Sequence, residues 1–533
     1  MKTKASFAGI MRLVNIVFLI VLENFALDNG MGYYGIAVLI YSLMYMILMG
    51  SMHASISKMV NARNNRGLVN SSAKLLRVGI SYSFAAGVIV SIFSYLFAEK
   101  IMQSMFGNAY AGPTVHIFAF VFLINAMIDV ITGYFIGKGN ALLNNLSQLL
   151  KTFLPIIISL IVVRFMKSYG KNAAGLLKNK LFENAYTSMG IAITYGVALF
   201  VVLIVVVLIA IRNREYIVEQ KAIRGVDSKR SVFGYFLELS FKILFNQIFP
   251  LLTITLSAVL YLSIAYKAGV SPSSSFANLG ILFAKVLLPL CFVLTIFDEY
   301  VNREKIRMHI DYRKDDYKIV CMRGQYMIKN TFFLLLPPTL VLAFLADPFV
   351  KVFYTGNYNL SAAILQKAGF LLLFAGLAYV IISILKAVEN ELVAFIIQVI
   401  SFVVQFIFLI VMLNKSQGSS QVVLYSFYIY FLIQIVLGFM VLYKSIRMDL
   451  TEMLVKIGKY GIASVITMIV FIMLDRFVMM NVFLMILSIV FGYLIYYLTI
   501  IALRGISKKD VQALKRTVNY FPVKFLTSRL HLW

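Results

Sequence analysis

"AEKIMQSMFGNAY", Ala98 to Tyr110, and "ADPFVKVFYTGNY", Ala346 to Tyr358, are two versions of one polar turn in an otherwise apolar chain. Each is followed by an apolar span and a short polar turn, "GKGN" at Gly137 to Asn140 and "KAVEN" at Lys386 to Asn390. A second span then carries Gln148 or Gln398. Ala98 pairs with Ala346, Glu99 with Asp347, Tyr110 with Tyr358, Asn140 with Asn390 and Gln148 with Gln398, at an offset of about 250 that drifts by about two residues. Apolar residues align readily by chance, whereas aligned polar turn residues do not, so the chain reads as a duplicated membrane protein. Where transporters are built from repeats, the substrate site lies between the halves.

Of 533 residues, 61% are hydrophobic and only 13% charged. The apolar residues come in runs of about twenty, enough to cross the hydrocarbon core of a bilayer. Inside lipid only helices and closed barrels satisfy their own backbone hydrogen bonds, and these runs are too long and too uniformly apolar for barrel strands. The chain therefore reads as an all-α polytopic membrane protein. Spans are expected to begin near Phe7, Gly35, Leu75, Val115, Asn144, Met189, Phe236, Ala277, Thr331, Ala363, Leu392, Leu424, Ile457 and Val482, about fourteen helices in all. The break around Lys167 to Glu183 has room for a short interfacial helix.

The net charge of +27 reports orientation, not a nucleic-acid partner. With the N-terminus in the cytoplasm, roughly 35 Lys and Arg fall on the cytoplasmic side and roughly 11 outside, which makes both termini cytoplasmic. The segment with Lys167, Lys171, Lys178 and Lys180 dissents, since it falls outside. Met1 begins a segment with two early lysines but no small-residue cleavage site, so the first span is expected to be retained. Cys291 and Cys321, one in a span and one in a loop, suggest neither a disulfide nor a metal cluster. No paired exposed carboxylates, histidine-rich acyltransferase site, phosphate-binding glycine loop or metal-ligand pair appears, so no enzyme, cofactor or metal is expected.

The stretch "GYYGIAVLIYSLMYMILMGSMHASISKMV", Gly32 to Val60, resembles the second helix and following turn of the polysaccharide transporter family, most closely in "ISKMV" from Ile56. "GYFIGKGNALLNNLSQLL", Gly133 to Leu150, is similar to that family's turn between its fourth and fifth helices, and "LADPFVKVFYTGNY" to its counterpart in the second half. The chain looks like the stage V sporulation protein B branch of the MOP flippase superfamily, relatives of the lipid II flippases. The resemblance implies two pseudo-symmetric six-helix bundles arranged as a V, followed by two extra helices. The divisions are then 1–212 for helices 1–6, 213–233 for a basic cytoplasmic linker, 234–444 for helices 7–12, 445–504 for helices 13–14, and 505–533 for a basic tail. It also implies a flippase of the bacterial cytoplasmic membrane. The substrate class is a glycan on a polyprenyl (undecaprenyl) diphosphate carrier, a cell-wall or surface polysaccharide precursor, with membrane lipids and glycan-biosynthesis enzymes as partners. Of the basic residues that lipid II flippases carry near the cavity on their first two helices, only Arg12 is matched.

A diphosphate headgroup needs cations in a hydrated cavity, and intramembrane charges are costly enough to mark function. Lys285, mid-span with no carboxylate within a turn on its own helix, is the first candidate. Lys242 lies four residues after Glu238, a spacing that fits either a local ion pair or a snorkelling helix end. Asn246 and Gln247 continue that polarity as a cavity wall. Lys151, four residues before the helix-kinking Pro155, fits a phosphate contact or a snorkelling cation. Arg12 fits the cytoplasmic mouth or a topological anchor. Glu23 with Asn24, and Asp129 with Asn125, are the acidic sites able to couple H⁺ or Na⁺, although Asn125 and Asp129 also have the spacing of an interhelical hydrogen-bond contact. The tail from Ser507, basic with Phe521, Phe525, Leu530 and Trp533, reads as a helix on anionic lipid or as a disordered segment. The alternative function is a cation-coupled exporter of small amphiphiles. A glycan polymerase is disfavoured by the short outside loops.

Overall fold

A computed structural model describes residues 7–50, 52–67, 69–213, 229–245, 248–446, 451–478 and 481–505. Among the described residues every regular element is helical, and thirteen segments are long and apolar enough to cross a membrane. The first of these, Phe7–Asn65, contains two of the expected spans. Its helix α1, Phe7–Met49, runs for 43 residues, about 65 Å at 1.5 Å per residue and twice the thickness of a bilayer core. At Leu27 the backbone leaves the helix (φ 58°, ψ 177°) and divides α1 into two lengths of bilayer size. That conformation suits glycine, and on a leucine costs of order 1–3 kcal/mol.

The helices gather into two compact units. One comprises Phe25–Phe283 with Leu413–Ser420; the other comprises Met1–Asn24, Ala284–Met412 and Gln421–Trp533. The units do not follow an even split of the sequence, because the start of α1 belongs with the second half and residues up to Phe283 belong with the first. The first two changes of unit, after Asn24 and after Phe283, occur inside helices at a local distortion. One is beside Leu27, and the other is in the π-helical turn Ile281–Leu287, which joins α9 (Pro272–Gly280) to α10 (Leu288–Tyr312).

The Phe25 unit contains the later part of α1, α2 (Met52–Asn65), α3 (Val69–Phe106), α4 (Gly112–Gly137), α5 (Leu142–Leu176), α6 (Leu181–Arg212), α7 (Lys229–Phe245), α8 (Ile248–Lys267) and α9. Its tightest crossing is between α1 and α9. A Cβ on Gly280 would stand 1.8 Å from the Asp28 carbonyl oxygen, and one on Gly32 would stand 2.0 Å from that of Phe276. Only hydrogen fits there.

The Ala284 unit holds the first part of α1, α10, α11 (Tyr317–Phe344), α12 (Ala346–Phe353), α13 (Tyr358–Ala368), α14 (Leu371–Ala387), most of α15 (Glu391–Lys415), α16 (Ser420–Ile446), α17 (Thr451–Val478) and α18 (Val482–Ala502). Val301, Met308, Met327, Phe333, Ile384, Tyr460 and Tyr497 are buried in one core that draws on α10, α11, α14, α17 and α18.

The turns that pair in the sequence have matching backbone conformations. Gly107 and Gly356 both take positive φ (66° and 97°), and the following asparagines cap the next element. Asn108 accepts from the Tyr110 amide at 2.9 Å, and Asn357 from the Leu360 amide at 3.2 Å. Helices α4 and α14 also end alike, with left-handed Gly139 and Glu389 at φ 87° and 62°. The next amide then reaches back five residues, Asn140 to Phe135 at 2.9 Å and Asn390 to Leu385 at 3.0 Å. This is the Schellman closure of a helix C-terminus.

The span expected from near Phe236 falls on α7 and α8, between which residues 246 and 247 lie outside the described residues. One sequence expectation is corrected. No separate interfacial helix occupies Lys167 to Glu183. Helix α5 continues to Leu176, a turn with Lys178 at φ 49° follows, and α6 starts at Leu181. The lysines there serve the helix ends: Lys167 donates to the Phe25 carbonyl at 2.7 Å, and Lys171 stands 4.0 Å from Glu183.

Candidate functional site

Three helices of the Phe25 unit place a polar cluster at membrane depth. Tyr41 and Tyr45 lie four residues apart on α1, and Asn125 and Asp129 four apart on α4, so each pair shares a helix face. From α5, Lys151 inserts between the α4 pair, donating to Asn125 Oδ1 at 2.7 Å and Asp129 Oδ1 at 2.9 Å. Tyr45 donates to the other carboxylate oxygen of Asp129 at 2.6 Å, and Asn125 Nδ2 to the Tyr41 hydroxyl at 3.4 Å. The side chains of Lys151 and Asp129 remain 22% and 25% exposed, so the pair is ordered yet reachable.

This joins residues that the sequence assigned to different tasks, Lys151 to the headgroup and Asp129 to ion coupling. An ammonium held by a carboxylate and an amide oxygen is a tethered cation. The tyrosines were not singled out from sequence. Their signal was the four-residue spacing of two polar-tipped aromatics in a predicted span.

A second charged group lies wholly in the Ala284 unit. Lys285, in the π-helical turn, stands 3.2 Å from Glu23 and donates to the Thr355 carbonyl at 2.6 Å, with the Tyr354 ring 5.9 Å from its nitrogen. Lys285 and Glu23 are both 0% exposed. Tyr354 donates to the Ala284 carbonyl at 3.0 Å. Burial first, then the neighbouring Glu23 carboxylate, holds the Tyr354 phenol well above its ordinary pKa, which keeps it a donor. The carboxylate missing from the helix of Lys285 is thus supplied by α1, about 260 residues away, which helix-spacing rules cannot detect. Asn24, next to Glu23, donates to the Phe353 carbonyl at 3.1 Å.

Arg12 stands 3.9 Å from Asp298 and is 68% exposed, a contact of little energetic weight. Asp298 also accepts a short hydrogen bond from Tyr379. Lys242 is on α7 with its side chain outside the described residues; Asn246 and Gln247, like the tail from Ile506, lie outside them altogether. Among the described residues no cluster of three or more metal-ligating side chains occurs.

No family profile matches the sequence, and no curated protein does. Solved structures do match. The chain superposes on the lipid II flippase MurJ in an inward closed conformation with a TM-score of 0.63 at 17% identity, over 93% of this chain and 97% of that one. It matches an inward-facing multidrug resistance MATE family transporter of the MOP superfamily with a TM-score of 0.61 at 13% identity, over 84% and 97%. An outward-facing MATE transporter matches with a TM-score of 0.53 at 14% identity, over 83% and 95%. The described residues, whose regular elements are all helical, have the fold of the MOP-superfamily transporters.

Proposed function

We propose that this protein is a membrane flippase, not an enzyme, and that it carries a polyprenyl-diphosphate-linked oligosaccharide across a bacterial cytoplasmic membrane in which both its termini face the cytoplasm. The observation that carries the proposal is the tethered Lys151, a partly exposed ammonium in the Phe25 unit held by Asp129, Asn125 and, through Asp129, Tyr45. A diphosphate carries more negative charge than a carboxylate, so an arriving headgroup competes with Asp129 for that ammonium. Asp129, freed of its ammonium, then serves the uptake of a cation, which couples substrate arrival to ion movement. The similarity to a lipid II flippase supports the substrate class, and the duplicated turns support transport by a repeat-built carrier. Enzymes that build or polymerise the glycan are the partners this reading calls for.

Lys285, the first candidate from sequence, takes a different role, because its ammonium is enclosed by Glu23 and the Thr355 carbonyl as half of a buried structural pair. The second reading, a cation-coupled exporter of small amphiphiles, draws on the resemblance to multidrug transporters.

The test is reconstitution in liposomes containing a fluorescent polyprenyl-diphosphate oligosaccharide, with protection of the label from an external quencher as the readout. Wild type is expected to translocate it, and Lys151→Ala to lose most of the rate while keeping wild-type thermal stability. Translocation unaffected in Lys151→Ala would refute the assignment of the site. Transport of cationic amphiphiles with none of the glycolipid would select the exporter.

A further inference from the structure

Helices α10 and α14 pack together in the Ala284 unit and meet along polar faces. On α10 the face carries Asp298, Asn302, Lys305 and His309, and on α14 it carries Tyr379, Ser383 and Lys386, all at steps of three or four residues. Contacts on both sides of the lysines set the register. On one side the Tyr379 hydroxyl stands 3.5 Å from Asn302 Oδ1, and on the other His309 Nδ1 stands 3.1 Å from the Ala387 carbonyl oxygen. Lys305 and Lys386 occupy the stretch between, half-buried and close enough for one charge to act on the other.

Two ammonium groups in one seam repel each other, so the acids about them matter. Asp298 is already supplied by Tyr379, by Asn302 at 2.7 Å and by Arg12 at 3.9 Å. Glu389 is taken by Arg313 at 3.0 Å. The carboxylate whose charge reaches both lysines is Glu391, an exposed side chain at the first residue of α15. Two cations against one shared carboxylate favour a doubly charged anion, and that carboxylate is exposed enough to be displaced. The spans that carry the lysines end at Tyr312 and Ala387, so Lys386 is next to last in its span and Lys305 lies about 10 Å from the end of its own. That is the level of the headgroup layer and of the hydrocarbon just beneath it. A phosphate group brings two charges and several acceptor oxygens to that level, and lysine ammoniums bind it as point charges.

We propose that Lys305 and Lys386 form a binding site for a doubly charged phosphate group, which displaces Glu391 as it enters. A lipid headgroup and a water-soluble phosphate both offer that chemistry. The site lies wholly in the Ala284 unit and needs nothing from Lys151.

The experiment uses the full chain in two arms. In phosphatidylcholine nanodiscs, equilibrium dialysis measures uptake of ³²P-labelled inorganic phosphate. In nanodiscs that also contain phosphatidic acid, native mass spectrometry measures how much of that lipid the protein retains on release from the disc. Wild type is expected to bind one of the two probes saturably. Lys305→Gln and Lys386→Gln should each weaken that binding about tenfold or more, as loss of one charge-assisted hydrogen bond allows, and Glu391→Gln should tighten it. Phosphate uptake identifies a soluble ligand; retention of phosphatidic acid without phosphate uptake identifies a lipid headgroup. Saturable binding of neither probe would overturn the proposal, as would binding that both lysine variants leave unchanged. Binding that Glu391→Gln fails to tighten would overturn it equally, and that comparison, made at an exposed residue, decides the matter even if the lysine variants do not fold.

Discussion

Replacing either partner of the Glu23–Lys285 pair should destabilise the protein severely, whereas replacing both should not. The two groups are fully buried 3.2 Å apart, and their remaining polar contact of known geometry is the 2.6 Å bond from Lys285 to the Thr355 carbonyl. Glu23→Met leaves an ammonium with a carbonyl and an aromatic face but no counter-charge, and Lys285→Met leaves a buried carboxylate. Breaking a buried pair from one side costs about 3–5 kcal/mol, while apolar replacement of both partners ranges from neutral to stabilising by about 1–4 kcal/mol. Each single variant should therefore lose about 8 °C in midpoint, taking about 2 °C per kcal/mol for a unit of this size. The double variant Glu23→Met/Lys285→Met should melt within a few degrees of wild type. The assay is thermal unfolding in detergent, followed by the fraction that stays monodisperse. Midpoints that fall additively in the double variant would refute the ion-pair account. A double variant that folds but does not translocate would refute the structural role given to Lys285 and return it to the headgroup.

Tyr45→Phe removes the 2.6 Å donor to Asp129 without changing the shape of the cluster; hydrogen bonds to charged groups are worth about 1.5–3 kcal/mol, so translocation should slow about tenfold or more with little change in midpoint. A rate equal to wild type would show that Asp129 needs no such donor. Glu389→Gly relieves a left-handed residue at the end of α14 and should gain up to about 1 kcal/mol in a urea or thermal titration, because the Arg313 contact it forfeits is half-exposed and of little weight. Destabilisation beyond that would mean the exposed pair matters more than its surroundings suggest. Gly280→Val, aimed at the 1.8 Å approach to the Asp28 carbonyl, should abolish folded expression, measured as monodisperse protein per cell, while Gly175→Ala, with open space about it, should express like wild type.

What was legible in the sequence is what depends on neighbours along the chain. Long apolar runs gave the helices, and the Gly-Asn pairs at 107–108 and 356–357 announced turns that the backbone indeed builds alike. What remained hidden was every partner chosen across the fold. Lys285 read as an unpaired cation since nothing near it in sequence is acidic, and Lys151 and Asp129 read as separate sites since they sit on different helices. Hydrophobic periodicity shows which face of a helix is polar but says nothing of which other helix meets it.

The long separation of Glu23 from Lys285 also bears on biosynthesis. Glu23 enters the membrane with the first helix, yet its counter-ion is made about 260 residues later, roughly 13–50 s at ordinary rates of chain elongation. For that interval the side chain of Glu23 must wait in lipid or at its surface without Lys285, where a buried charge is costly. Closure of this pair, well before α11 to α18 complete the Ala284 unit, is thereby tied to the synthesis of the Ile281–Leu287 turn that carries Lys285.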